Sequence, residues 1–170
     1  MAHWNELSYK LQSLDSPPEL IIDGLLGMHV AFEDLRLPDQ ASLFELVKFA
    51  NTSKAHIMSI DVPSGIDGQT GTMSLVPCGL GMKTDTNMIF LGEVTTLDDA
   101  EPFYVKSKFV VCMGAPKTGI RAALQTVGAG WNLYVVDIGI PNTAWRKYGS
   151  RRRHGVEFGA EWVSAIEYIL

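Results

Sequence analysis

An apolar run leads directly into a turn of defined shape in the stretch Ser59-Ile60-Asp61-Val62-Pro63-Ser64-Gly65-Ile66-Asp67, and this junction indicates the class of fold. Residues 56–60 form a short, mostly apolar run of the kind found in buried strands. Pro63 then fixes one φ angle, and Gly65 permits a positive one. The sequence therefore predicts a strand over 56–60 that closes on Asp61 and turns sharply.

Three further apolar runs have the same layout, and each ends at an aspartate or at a glycine-containing turn. They are residues 20–22 before Asp23, residues 108–113 before Gly114-Ala115-Pro116-Lys117, and residues 133–136 before Asp137. Helical patterns over 38–51 and 118–127 alternate with them. This alternation predicts an α/β fold, a mostly parallel sheet in a three-layer, Rossmann-like arrangement. Because the runs are apolar throughout, we expect strands buried on both faces.

The remaining sequence fits one domain over 1–170. Residues 72–107 lack a strong period and contain several glycines, which predicts an excursion loop that holds a hairpin. Residues 141–170 are interpreted as a C-terminal tail extension. A first amphipathic helix is predicted from apolar residues at roughly helical spacing, namely Trp4, Leu7, Leu11 and Leu14.

Composition narrows the class of protein. Hydrophobic residues make up 46% of the chain and charged residues 19%, which is typical of a globular domain. The sequence shows no signal peptide and no apolar run of the ~20 residues that a bilayer requires. Two cysteines, Cys78 and Cys112, cannot build a disulfide framework, so a reducing compartment, the cytoplasm or the nucleus, is expected.

Charge is distributed unevenly along the chain. The net charge is −5, yet residues 146–153 contain five basic residues and no acidic one. The other nine basic residues stand against nineteen acidic ones. An anionic partner would therefore be attracted to the tail and repelled by the body.

Polar residues fall at the carboxyl ends of the predicted strands. Asp23, Asp61 and Asp137 would share one edge of a parallel sheet, where ligands bind in the crevice outside the strands. The alternative is that each aspartate only caps the turn that follows its strand. The turn after Asp61 could also direct the Ser64 hydroxyl toward that crevice. Oxygen donors of this kind suit a hard cation or a ribose hydroxyl rather than zinc.

Three motifs make the chain resemble the YjeF N-terminal family. They are Ile22-Asp23-Gly24-Leu25-Leu26-Gly27, the stretch from Ser59 to Asp67, and Gly114-Ala115-Pro116-Lys117, in the family's order and approximate spacing. The resemblance runs over about residues 21–140. It implies the Rossmann-like fold of that family, here lacking its first strands.

Some members of this family are NAD(P)HX epimerases, and the resemblance implies roles for matching residues. Asp23 and Ser64 would help to hold a potassium ion. Asp61 would contact the hydrated nicotinamide nucleotide and is the candidate catalytic acid or base. Residues assigned to ligand binding on the same ground are Gly27, Asp61, Gly114 and Lys117.

Two departures weaken the epimerase interpretation. The family's site also uses a glycine-rich, asparagine-containing loop well before the strand that matches 20–22, and these 170 residues contain no such loop. The chain also ends differently after the strand that matches 108–113. We therefore expect no required cofactor, although potassium and a nicotinamide-nucleotide-like ligand remain alternatives.

The tail resembles the end of the same domain in fungal enhancers of mRNA decapping. That resemblance implies a homodimer, RNA and decapping or P-body proteins as partners, and a cytoplasmic location, with no role for membrane or DNA. The residues expected to contact RNA or a partner are Arg146, Lys147, Arg151, Arg152 and Arg153. Arginine neutralises phosphate and stacks on bases. A solvated charged turn or a dimer contact would use the same residue types.

Three hypotheses follow from these observations. The sequence favours a non-catalytic, dimerising, RNA-associated scaffold domain of the mRNA decapping machinery. The alternative from a different class is an NAD(P)HX epimerase that is incomplete in this chain. A third is a truncated gene model, whose sheet would expose an apolar edge prone to association.

Overall fold

A computed structural model describes residues 6–7, 9–11, 13, 15, 17–28, 30–77, 100–127, 130–141, 143, 158 and 160–167. Within these ranges the chain forms seven strands, one short 3-10 turn and two α-helices. In chain order they are β1 (Leu20–Asp23), the 3-10 turn (Phe32–Asp34), α1 (Leu37–Thr52), β2 (His56–Ile60), β3 (Ser74–Pro77), β4 (Ala100–Phe103), β5 (Phe109–Met113), α2 (Ile120–Val127), β6 (Asn132–Val136) and β7 (Val163–Ile166).

The main sheet has five strands in the order β1-β2-β5-β6-β7. The first four are parallel to one another, and β7 pairs antiparallel with β6. The four strands predicted from apolar runs all form, with ends that differ from the predicted ones by no more than one residue. The prediction of a mostly parallel, Rossmann-like α/β fold is therefore confirmed.

Both described helices pack on the same face of this sheet. Ser59 of β2 and Val110 of β5 are register partners, so Ile57, two residues before Ser59, lies on the face that also presents Val110. Ile57 packs with α1 in one buried cluster, and Val110 packs with α2 in the other. The strand order explains this placement, because right-handed crossovers that advance in one direction put their helices on one side.

The opposite face of the sheet carries apolar side chains that remain accessible. Ile22 is 59% exposed and Ile60 is 44% exposed. The exposed apolar residues of this face are Leu20, Ile22, Ile60, Met113 and Val163. Neither α1 nor α2 covers them, and their exposure shows that the expectation of strands buried on both faces is wrong for these positions.

A separate two-stranded sheet lies within residues 72–107, where a hairpin was predicted. β3 and β4 pair antiparallel, and residues 78–99 between them lie outside the described ranges. Phe103 of β4 is buried, with its ring 4.6 Å from that of Phe32 and 5.6 Å from that of Phe44. These contacts place the small sheet over α1.

The two ends of the chain are only partly described. Residues 6–7 and 9–11 are helical, in the region of the predicted first helix. Within the 141–170 tail, β7 completes the edge of the main sheet, and Phe158 packs with Trp131 against the core. Trp162, just before β7, is 70% exposed. None of the described helices has the length and apolar composition to cross a membrane.

Candidate functional site

The carboxyl ends of β1, β2, β5 and β6 meet at one edge of the sheet. Asp23 is the last residue of β1 and is in register with Ser59, two positions before Asp61. Gly114 follows β5 directly, and Asp137 follows β6. The prediction that Asp23 and Asp61 lie on the same edge is therefore confirmed by the parallel pairing.

Asp23 is buried at this edge and accepts four hydrogen bonds. Its Oδ1 accepts from the Ser64 hydroxyl at 2.7 Å and from the Leu25 amide at 3.3 Å. Its Oδ2 accepts from the Ser59 hydroxyl at 2.6 Å and from the Ser64 amide at 2.9 Å. Ser107 contacts Ser59 through its hydroxyl. We call Asp23, Ser59, Ser64 and Ser107 the serine–aspartate network; all four are at most 7% exposed.

Asp61 forms a second polar cluster with Lys117. Lys117 Nζ lies 3.1 Å from Asp61 Oδ1, and both side chains are about one-fifth exposed. The same Oδ1 accepts a hydrogen bond from the Met113 amide at 2.8 Å. Among the described residues no donor reaches Oδ2. Asp61 and Lys117, named here the rim pair, thus leave one carboxylate oxygen available at the edge.

The backbone of Asp61 is held in an unusual conformation. Its φ angle is +66°, the only positive value at a non-glycine position in the described ranges. Aspartate tolerates this region better than most residues, but the conformation still carries a cost. Two contacts to β5 stabilise it, because the Asp61 amide donates to the Val111 carbonyl at 2.8 Å and its carboxylate accepts from Met113.

The two clusters share an edge but remain separate. Within the described ranges, no hydrogen bond or ion pair joins the carboxylates of Asp23 and Asp61, and they have no partner in common. Asp137 accepts a hydrogen bond from the Gly139 amide, as a turn-capping aspartate does. The structure therefore brings Asp23 to Ser64 and Asp61 to Lys117, rather than all the acids to one point.

The glycines assigned to ligand binding lie beside these clusters. Gly27 belongs to the turn after β1, where the preceding Leu26 amide donates to the Ser64 hydroxyl at 2.9 Å. Gly114 has a φ angle of +78° and donates its amide to the Val136 carbonyl. It begins the turn that carries Lys117 to Asp61. No ligand contact of either glycine follows from these positions alone.

Potassium binding by Asp23 and Ser64 does not fit the donor set. An ionised carboxylate offers about four acceptor sites, and all four of Asp23 already accept hydrogen bonds. Within the described part of the chain, no three side chains of the histidine, cysteine, aspartate or glutamate type form a metal-binding group.

Cys112 lies beneath the rim pair and is expected to be unreactive. Burial raises the pKa of its thiol to about 11 from an ordinary 9.0, and the charge of Asp61 adds to the shift. At pH 8 iodoacetamide should therefore alkylate it about 100-fold more slowly than a free thiol. Because the pKa is raised in the folded state, this thiol's contribution to stability is lost as the pH rises from 9 through 11.

Mass spectrometry of a Cys78→Ser variant would follow Cys112 alone. Alkylation of the folded protein at the rate measured in urea would contradict this placement of the thiol.

Two members of the serine–aspartate network were missed as site residues. Ser59 is the first residue of the motif from Ser59 to Asp67. Its position opposite Asp23 follows from the register of β1 and β2. Ser107 precedes β5 and carries no sequence signal. Residues 144–157, which include the five tail residues expected to contact RNA or a partner, lie outside the described ranges.

The chain is similar in sequence to known proteins. A family model described as "YjeF-related protein N-terminus" matches residues 2–119. "Enhancer of mRNA-decapping protein 3" of Schizosaccharomyces pombe is 24% identical over 140 residues, which cover 82% of this chain and 23% of that protein. This chain thus spans about a quarter of that relative.

A solved structure, yeast ynu0 (YNL200c), has a similar fold. Its TM-score is 0.53 at 17% identity, and the match covers 98% of this chain and 61% of that one. At this identity the likeness concerns the fold alone. Because the family model matches more than half of the sequence, this chain belongs to the YjeF-related protein N-terminus family.

Proposed function

We propose that this chain is a non-catalytic scaffold domain of the mRNA decapping machinery, which associates with RNA, forms a homodimer and acts in the cytoplasm at P-bodies. The observation that carries the proposal is the similarity to an enhancer of mRNA decapping over 82% of the chain. The basic tail that follows the matched motifs supports it.

The contacts at the sheet edge support a structural use of the acidic residues. Asp23 accepts hydrogen bonds from four donors, and Asp61 is paired with Lys117 and the Met113 amide. A catalytic acid or base needs a carboxylate that can reach substrate and change its protonation during the reaction. Asp23 is buried and cannot reach a substrate. Asp61 has one carboxylate oxygen, Oδ2, that accepts no hydrogen bond from a described residue.

The basic tail supplies the chemistry for RNA. Arg146, Lys147, Arg151, Arg152 and Arg153 concentrate five positive charges in eight residues. Contacts of this kind to phosphates release counterions, so the binding they produce weakens as salt rises. Arginine planes also stack on unpaired bases, which favours single-stranded RNA over a duplex.

Replacing Arg151, Arg152 and Arg153 with alanine is therefore expected to weaken binding to a uridine oligonucleotide by about 10–100-fold at low salt. The slope of log affinity against log salt should become shallower by up to about 2, because each lost phosphate contact removes about 0.7. Fluorescence anisotropy of a labelled oligonucleotide over a salt series measures both quantities.

A control variant with the same loss of charge is available on the body of the domain. Arg36 precedes α1, Lys48 lies within it and Lys54 follows it, and all three are exposed. Their replacement with alanine should leave RNA affinity within about twofold. Absence of binding by the wild type at low salt, or equal loss in both triple variants, would contradict the RNA part of the proposal.

Dimer formation is tested separately by light scattering on a sizing column at micromolar protein concentration. We expect twice the mass of the 18.7 kDa chain. The mass of a single chain at every concentration would contradict the homodimer. RNA association is tested separately, by anisotropy.

The second candidate function is NAD(P)HX epimerisation, and one observation favours it. Asp61 Oδ2 has no donor among the described residues, at an edge that also presents the Lys117 ammonium. A nicotinamide nucleotide could place its ring at Oδ2 and a phosphate near Lys117. Under this alternative, Lys117→Ala should weaken NADPH binding at least tenfold in calorimetry, whereas Lys106→Ala, exposed elsewhere, should not. If the chain is a scaffold, calorimetry should detect no heat of NADPH binding to the wild type or to either variant.

A further inference from the structure

The serine–aspartate network is closed within the protein, and the positions of its protons can be derived. A carboxylate only accepts, so Ser59 must donate its single proton to Asp23 Oδ2. Its contact with Ser107 therefore has Ser107 as the donor. The hydrogen bonds are therefore all donated in one direction: Ser107 donates to Ser59, and Ser59 donates to Asp23.

Ser64 completes the network from the other side. Its hydroxyl donates to Asp23 Oδ1 at 2.7 Å and accepts from the Leu26 amide at 2.9 Å. Its own amide donates to Asp23 Oδ2. The Leu25 amide fills the fourth acceptor site of the carboxylate at 3.3 Å. Each hydrogen bond therefore satisfies a group that is buried or partly buried.

These bonds join four separate segments of the chain. Asp23 ends β1, Ser59 lies inside β2, Ser64 lies in the turn after β2, and Ser107 precedes β5. The Ser64 carbonyl also accepts from the Val105 amide at 2.9 Å, which ties the turn to the segment that contains Ser107. A bound cation would have a comparable effect, since it draws oxygen atoms from several segments together.

A cation cannot be added to this arrangement without loss. Hard cations bind oxygen lone pairs, and Asp23 has none left, while the Ser64 hydroxyl has one. A potassium ion at Asp23 would have to displace at least one donor among Ser59, Ser64 and Leu25. Each displaced group is buried or partly buried and would lose its partner.

We infer that the serine–aspartate network replaces a metal ion in this chain, and that the turn at Ser64 is held by hydrogen bonds alone, without potassium. The inference concerns the stability of the domain and does not depend on the proposed function. It assigns Asp23, Ser59, Ser64 and Ser107 a shared positioning role: they hold the turns that flank the rim pair.

Thermal unfolding in matched salts tests the inference. The wild type, dialysed free of potassium, should have the same Tm within about 1 °C in potassium chloride and in tetramethylammonium chloride at equal ionic strength. Asp23→Asn should lower the Tm by about 10 °C in both salts, because an amide cannot accept from all four donors. Asp39→Asn is the control at an aspartate whose side chain is 47% exposed and pairs only with the exposed Arg36, and it should change the Tm by about 1–2 °C at most.

Ser107→Ala supplies a second variant that alters the network without touching either residue assigned to potassium. It should lower the Tm by several degrees in both salts. A Tm of the wild type that rises saturably with potassium, and no longer does so in Asp23→Asn, would overturn the inference. An unchanged Tm for Ser107→Ala would overturn it as well, since a closed network requires that donor.

Discussion

Gly65→Ala is expected to lower the free energy of unfolding by about 3–5 kcal/mol, a large fraction of the stability of an ordinary domain. Gly65 has a φ angle of +92°, which strains any residue with a Cβ atom. A Cβ at this position would also lie 2.3 Å from the Phe103 carbonyl oxygen and 2.8 Å from the Tyr104 Cα. Both obstacles are backbone atoms, so no side chain can rotate away to make room.

A control variant separates the backbone strain of a positive φ angle from the steric clash of the added Cβ atom. Gly139 has a φ angle of +74°, but a Cβ there meets no atom within 4 Å. Gly139→Ala should therefore cost only about 1–2 kcal/mol, the conformational part of the penalty. Urea unfolding followed by circular dichroism measures both variants. Equal losses of stability would show that the backbone of β4 does not contact the turn at Gly65.

The second large effect is expected at Gly71, where the turn region meets the start of α2. Gly71 has a φ angle of +77°, and a Cβ there would lie 2.3 Å from the Gly119 carbonyl oxygen and 2.7 Å from the Ala123 amide nitrogen. Gly71→Ala should cost about 3–5 kcal/mol, because α2 would have to move away from the turn. Lys117, two residues before Gly119, would move with it and separate from Asp61.

Gly130→Ala is the control for this prediction, since a Cβ at Gly130 meets nothing within 4 Å. It should leave stability within about 0.5 kcal/mol of the wild type. Urea unfolding of the two variants, measured side by side, gives the comparison. If Gly71→Ala were as stable as Gly130→Ala, the close approach of Gly71 to Gly119 would not exist in solution.

Much of the fold follows from local signals in the sequence. The four parallel strands and both helices are marked by apolar runs, prolines and glycines that act within a few residues. The turn motif marked Gly65 as a position that permits a positive φ angle, and the structure has one there. The shared edge of Asp23 and Asp61 then follows from the parallel direction of the strands, without any knowledge of contacts.

Other features depend on contacts that a local pattern does not encode. Ile22 and Ile60 are as apolar as buried residues, so their exposure could not be foreseen from composition. β7 lies in the tail and forms only because it completes the edge beside β6. Ser107 enters the serine–aspartate network through tertiary contact with a strand 48 residues away.

Within the site, the rim pair is also a contact that a local sequence pattern does not encode. Asp61 and Lys117 were each assigned to a ligand by resemblance, but their ion pair across 56 positions of sequence appears only in three dimensions. A charge that binds its neighbour is less available to a ligand. This pairing supports the scaffold proposal, which rests on the similarity to an enhancer of mRNA decapping.

Turnover of hydrated NADH tests that proposal most directly. Chromatographic separation of its two epimers would follow their interconversion by the whole chain at high concentration, with Asp61→Asn measured beside it. A non-catalytic scaffold predicts that both proteins leave the interconversion at its spontaneous rate. Acceleration by the wild type that disappears in Asp61→Asn would contradict a non-catalytic scaffold and make Asp61 the catalytic acid or base.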